Sequence, residues 1–287
     1  MWFYQPINEE IIKSIQNFSN PFFDKFFQII TMMGEEYVLV VLMVIIFWCV
    51  NKELGYRLGF ICLTSIIINT IVKDLFMVTR PIGEEGIRSL RIETATGYSF
   101  PSGHTQIVST LWVTLMLYIK KNWIYVTGTI IIILVGISRL YLGVHRPVDV
   151  LGGVIIAVIW VIICNALLHY AEKDNKKYLL LFILIPIIIG MFFTKSPAYY
   201  KIEGIFIGFY VGYLIEPKYI EFDVKGKYNK QLVKIVIGLG IFFILKITLK
   251  NIFMQTLITD LLRYFMLGLW LTIGAPLVFK KIKDRLH

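Results

Sequence analysis

The sequence predicts an all-α protein, a polytopic integral membrane helix bundle, and three observations carry that prediction. Hydrophobic residues make up 57% of the 287 and charged residues only 17%, where a soluble domain carries about 25% charged residues. The mean hydropathy is +0.72, and the apolar residues gather in runs of bilayer-crossing length. Most of the lysines fall between those runs, where the orientation of a membrane chain places them.

In chain order, residues 5–19 read as a short amphipathic helix lying along the membrane surface, with Ile7, Ile11, Ile12, Ile15 and Phe18 near helical spacing. A first span covers about 22–50, interrupted at Gly34-Glu35-Glu36, and a second covers about 58–72. A polar connection of roughly residues 73–102 follows. It carries Lys73, Arg80, Arg88 and Arg91 against Glu84, Glu85 and Glu93. The third span starts at His104 and ends near Lys120-Lys121, and the fourth covers 123–137. Pro147 suits the first position of the fifth, which runs to about His169. Further spans are expected at 178–194, 202–215, 231–249 and 253–279, giving about nine.

If nine spans alternate, one side collects Lys52, Arg57, Lys120, Lys121, Lys173 and most of the later lysines. The bias of basic loops toward the cytoplasm puts that side inside and the loops 73–102 and 138–146 outside. Those two loops nevertheless hold Arg80, Arg88, Arg91, Arg139 and Arg146, against the bias. Basic residues so placed ask for a separate reason.

The net charge of +10 does not argue for nucleic acid, because the cations that make it up sit at span ends. Cys49, Cys62 and Cys164 lie inside apolar runs, so neither a zinc site nor a disulfide frame is expected. The mixed polar first dozen residues, with Glu9 and Glu10, do not read as a cleavable signal peptide.

The stretch Phe100-Pro101-Ser102-Gly103-His104-Thr105 stands where the polar loop meets the third span. Pro101 holds Phe100 extended, Ser102 is a preferred N-cap, and Gly103 leaves the backbone open. The positive end of a helix dipole there favours an anion, phosphate above all, within one turn of His104.

Three blocks thus fall on one side of the membrane: Lys73-x6-Arg80-Pro81, Pro101-Ser102-Gly103-His104, and Ser138-Arg139-x5-His145-x3-Asp149. These eleven residues match the three-part signature of the type 2 phosphatidic acid phosphatase (PAP2) superfamily without a substitution, and the chain resembles its membrane lipid phosphatase branch. The resemblance covers about residues 22–170. It implies a PAP2-type catalytic membrane core over 1–175, with 176–287 an added transmembrane extension whose role has no motif to define it.

The resemblance also implies roles. His145 is the nucleophile that becomes a phosphohistidine. Asp149, four residues on, fixes its tautomer and stabilises its charge. His104 protonates the leaving group and then activates water. Lys73, Arg80 and Arg139 supply cations to the equatorial oxygens, with donors from Ser102 and Gly103. No cofactor or metal is required, and the sequence offers no carboxylate cluster to hold one. The expected partner is a lipid phosphate within membrane lipids: polyprenyl diphosphate, phosphatidylglycerol phosphate or phosphatidic acid. A soluble phosphate ester, or a lipid transporter with a vestigial motif, is the alternative.

Lesser expectations are that Arg146 meets substrate or lipid headgroups, and that Gly152 and Gly153 allow close helix packing. Asp260 and Arg263, three apart, are expected to pair. Glu35 and Glu36 are expected at the membrane interface.

Overall fold

The computed structural model describes residues 6–173, 177–192, 194 and 196–285. The chain forms two compact units, Met1–Leu39 with Ile68–Ala166, and Val40–Ile67 with Leu167–His287.

In the first unit, helix α1 (Pro6–Gln16) is tied down by its last side chain. The Gln16 amide donates to the carbonyls of Arg88 (2.6 Å) and Tyr141 (2.9 Å) and accepts from the Arg88 N–H (3.0 Å). Helix α2 (Pro21–Met32) is capped by Asn20, whose side chain accepts the Phe23 N–H, with Pro21 at the first helical position. The interruption expected at Gly34-Glu35-Glu36 is a 50° bend between α2 and the following helical stretch Glu36–Val50, which comprises α3 (Glu36–Ile45) and a π-helical turn. Residues 40–67 belong to the second unit; helix α4 (Lys52–Phe76) re-enters the first at Ile68 and ends just before the long loop. Helices α5 (Gly103–Ile119) and α6 (Asn122–Tyr141) are antiparallel neighbours, because Gly128 faces Met116 and Trp112 while Gly136 faces Thr105.

Helix α7 (Pro147–Lys173) opens on its proline, and its glycines do what was expected of them. A Cβ on Gly152 would stand 2.4 Å from the Phe100 ring, and one on Gly153 would stand 2.9 Å from the Ser102 carbonyl. Only bare backbone lets α7 approach the turn that starts α5.

In the second unit, α8 (Leu181–Gly190) is followed by α9 (Pro197–Ile215), α10 (Tyr228–Ile252), α11 (Leu257–Leu269) and α12 (Ala275–Arg285). Gly204 packs on Leu261 and Phe265, Gly208 on Phe265 and Gly268, and Gly212 on Thr272. Both sets of numbers rise together, so α9 and α11 run in parallel at backbone contact, with α10 returning the chain between them. Asp260 and Arg263 pair as expected, and Lys201 stands 3.8 Å from Asp260. The buried Glu216 carboxylate is held by Lys52 (2.7 Å), Tyr56 (2.9 Å) and the Phe222 N–H (3.1 Å).

Among the described residues, five helices are long and apolar enough to span a bilayer, or six if the bent pair is one span. This is fewer than the nine expected. The run 178–194 gives only α8, ten residues with Pro186 inside it. At about 1.5 Å per residue it reaches roughly half of a hydrocarbon core about 30 Å thick. Helix α5, with 17 residues, is also short.

Gly153→Ala should lower the thermal unfolding temperature in detergent, equivalent to about 1–3 kcal/mol, because the Ser102 carbonyl that the new methyl meets is backbone and cannot swing away. An unchanged transition would show that α7 does not need this approach.

Candidate active site

Each residue of the three blocks lies in the first unit, and the loops bring them together. His145 follows the turn that ends α6 and is buried, 1% exposed. Its Nε2 lies 2.9 Å from Arg80 Nη1. A guanidinium only donates, so Nε2 accepts and the ring proton sits on Nδ1. Burial first, and then the charges of Arg80, Arg139 and Lys73, push the His145 ring well below its ordinary pKa, so it is neutral in the free protein.

Arg80 is fixed by carbonyls on every side: Gly97 (2.9 Å), Thr96 (2.8 Å), Tyr98 (3.2 Å) and Val144 (3.0 Å). Burial lowers its pKa to about 10 against the pull of Asp149, which leaves it a cation. Lys73 donates to the Tyr98 carbonyl, so both cations of the first block grip the strip just before Pro101. Arg139 is buried at the end of α6, with Nη1 on Thr31 Oγ1 (2.7 Å) and its Nε and Nη2 without partners. The His104 Nε2 is also buried without a partner, and the Gly34 backbone packs against the base of that side chain. His104 lies within the electrostatic reach of Arg139, Arg80 and Lys73.

The Ser102 expectation is corrected in part. Ser102 does occupy the N-cap position, but its hydroxyl bonds Thr105 Oγ1 (3.0 Å) and makes no cap bond, and its N–H is taken by the Asp149 carbonyl (2.9 Å). Gly103 keeps an open backbone, facing Asn69 Oδ1. Asp149 Oδ2 lies 3.5 Å from His145 Nδ1, takes the Arg146 N–H (2.7 Å), and is bonded by the Ser99 hydroxyl (2.5 Å). Sequence reasoning missed Ser99.

The remaining outer arginines have structural partners. Arg88 pairs with Asp24 (2.5 and 2.9 Å), Arg91 with Glu35 (2.6 Å), and Arg146 with Glu84. Arg146 is fully buried and also donates to the Thr79 carbonyl, which takes it out of reach of lipid headgroups. Glu35 is correspondingly engaged at the bend. Among the described residues, Lys73, Arg80 and Arg139 have no carboxylate in ion-pair contact, and no group of three or more His, Cys, Asp or Glu is placed to hold a metal. What remains is a cluster of cations around two imidazoles, with side-chain nitrogens of Arg139 and His104 left without partners. A tetrahedral oxyanion satisfies such a set.

Helices long and apolar enough to span a bilayer and a cluster of cations around two histidines are the marks of a membrane phosphatase family. The chain belongs to the PAP2 superfamily. The family's profile matches residues 54–173, and a second profile, the PAP2 superfamily phosphatase transmembrane extension, matches residues 200–285. The undecaprenyl-diphosphatase of Sulfolobus acidocaldarius is 36% identical over 121 residues, 42% of this chain and 58% of that protein. Undecaprenyl-diphosphatase BcrC of Bacillus subtilis is 30% identical over 158 residues, 53% of this chain and 80% of that protein. The crystal structure of Aquifex aeolicus LpxE superposes with a TM-score of 0.52 at 28% identity, covering 57% of this chain and 98% of that one. The chain thus spans little more than half the length of the Sulfolobus relative.

Arg139→Gln should weaken inorganic phosphate binding, measured by titration calorimetry in detergent, by about 1.5–3 kcal/mol, the worth of hydrogen bonds to a charged group, or roughly ten- to a hundredfold. Unchanged affinity would place the anion elsewhere.

Proposed function

We propose that this chain is a membrane lipid phosphatase that hydrolyses a lipid phosphate or diphosphate through a phosphohistidine on His145. The observation that supports the reading is the 2.9 Å contact of Arg80 with His145 Nε2, which puts a lone pair beside a cation that binds phosphate oxygens. Residues 1–175 act as the catalytic core, with 176–287 as the extension.

In the first step Nε2 attacks phosphorus while Arg80 exchanges its imidazole contact for a phosphate oxygen. Lys73 and Arg139 neutralise the other equatorial oxygens. The Nδ1 proton stays on the ring, and the positive charge formed there is stabilised by Asp149. His104 protonates the departing oxygen, then takes a proton from the water that cleaves the N–P bond. A lipid substrate suits a site at the end of spanning helices, and polyprenyl diphosphate is the favoured member of the class. The basic residues between the apolar runs favour an extracytoplasmic position for the site. The oligomeric state plays no part in the reading.

The test is phosphate release from undecaprenyl diphosphate by the purified protein in EDTA. Release should persist in EDTA and be lost in His145→Ala and His104→Ala proteins that elute and unfold like the wild type. Equal release by either variant, or lipid movement without phosphate, would overturn the reading.

The acid limb of kcat/KM should lie below about pH 6.5, the ordinary histidine value, because a ring with a lowered pKa stays neutral and nucleophilic further into acid. The profile of kcat/KM, corrected for the substrate's own ionisation, checks this. A limb above that value would show a cationic His145 in the free enzyme.

A further inference from the structure

Asp149 does not reach His145 at hydrogen-bonding distance, since Oδ2 and Nδ1 are 3.5 Å apart. Beside both stands Ser99, two residues before Pro101 and fully buried, with its hydroxyl in reach of each. Its Oγ lies 2.5 Å from Asp149 Oδ2 and 3.3 Å from His145 Nδ1, and its own N–H is anchored on the Val78 carbonyl at 2.7 Å.

The direction of these bonds follows from what each atom carries. Arg80 only donates, which fixes the lone pair on Nε2 and the proton on Nδ1. A carboxylate only accepts, so the Ser99 hydroxyl spends its one hydrogen on Asp149. Its oxygen lone pair then faces the Nδ1 proton. Every group in the chain His145 Nδ1–H to Ser99 Oγ–H to Asp149 Oδ2 has one consistent role.

We infer that Ser99 is a positioning residue for the nucleophile, so that His145 is oriented by a histidine–serine–aspartate chain and not by the aspartate alone. The inference rests on the reading of His145 as nucleophile and names a residue outside the three blocks. The hydroxyl holds the ring with Nε2 toward the cations. When the Nε2–P bond forms and the P–O bond to the leaving group breaks, the new positive charge polarises the serine toward Asp149. No proton moves onto Ser99. The Nδ1 proton remains on the imidazolium, and the ring returns to neutral when water cleaves the N–P bond.

The experiment compares Ser99→Ala, Ser99→Thr, Asp149→Asn and the Ser99→Ala/Asp149→Asn pair, with undecaprenyl diphosphate as the probe. Loss of a group that orients a working imidazole costs roughly ten- to a hundredfold. Ser99→Ala should therefore lower kcat by that factor with KM within about twofold, while Ser99→Thr, which keeps the hydroxyl, recovers most of the rate. Residues acting as one unit are not additive, so the double variant should be little slower than Asp149→Asn alone. Should Ser99→Ala prove unstable, Ser99→Cys, of similar shape and a weaker acceptor, takes its place with the same expected direction. A wild-type kcat in the variant lacking the hydroxyl, or multiplied losses in the pair, would overturn the chain. Neither result touches the role of His145, which fails only if His145→Ala keeps its activity.

Discussion

Three basic side chains are crowded around two imidazoles with no carboxylate among the described residues in contact with any of them, and the rest of the first unit answers to that crowding. Like charges at this range repel, and desolvated cations are costly unless their donors are satisfied. The fold meets the cost with backbone. Four carbonyls surround Arg80, one receives Lys73, and a threonine receives part of Arg139. Carbonyls carry only partial charge, so they hold the guanidinium without neutralising it. The net positive potential is left for the phosphate that the proposed function places there.

The same logic separates the arginines proposed to bind phosphate from structural ones. Arg88, Arg91 and Arg146 each end on an acid, and each ties a piece of the long loop: Arg88 to α2, Arg91 to the bend after it, and Arg146 to Glu84 within the loop. With the loop so pinned, the strip Thr96–Ser99 can present its carbonyls to Lys73 and Arg80 and its serine hydroxyl to Asp149. Gly153 completes the frame by letting α7, which carries Asp149, lie on the Ser102 carbonyl. The Asp149 carbonyl in turn receives the Ser102 N–H. Two motif blocks are thereby joined through backbone.

How much of this was legible in the sequence depends on the range of the interaction. Helix positions followed from apolar runs, and the bend at Gly34-Glu35-Glu36 followed from polar residues inside one. Proline and glycine marked the starts of α7 and α5. The motif blocks named the side chains that converge, because residue type and spacing carry that chemistry. Partners distant in sequence were not legible. Arg146 looked free because Glu84 lies 62 residues before it. Ser99 looked like an ordinary loop serine, since its partner Asp149 is 50 residues on. Ser102 looked like a helix cap because that is the local habit of serine, whereas Thr105 and Asp149 claim its groups. The expected spans outnumber the long apolar helices in part because hydropathy alone does not separate α8, ten residues long, from a crossing helix.

The second unit shows how a family extension is assembled by a different rule. Gly204, Gly208 and Gly212 recur every four residues, and the parallel contact of α9 with α11 follows from them. That repeat is visible in the sequence, although its partner helix is not.

The central claim, that His145 takes the phosphoryl group itself, is tested most directly by quenching a reaction with phosphate-labelled undecaprenyl diphosphate and mapping the label by mass spectrometry. The account predicts a single acid-labile phosphoryl group on His145, absent from the His145→Ala protein. Label on another residue, or phosphate release with no labelled protein at any quench time, would contradict it.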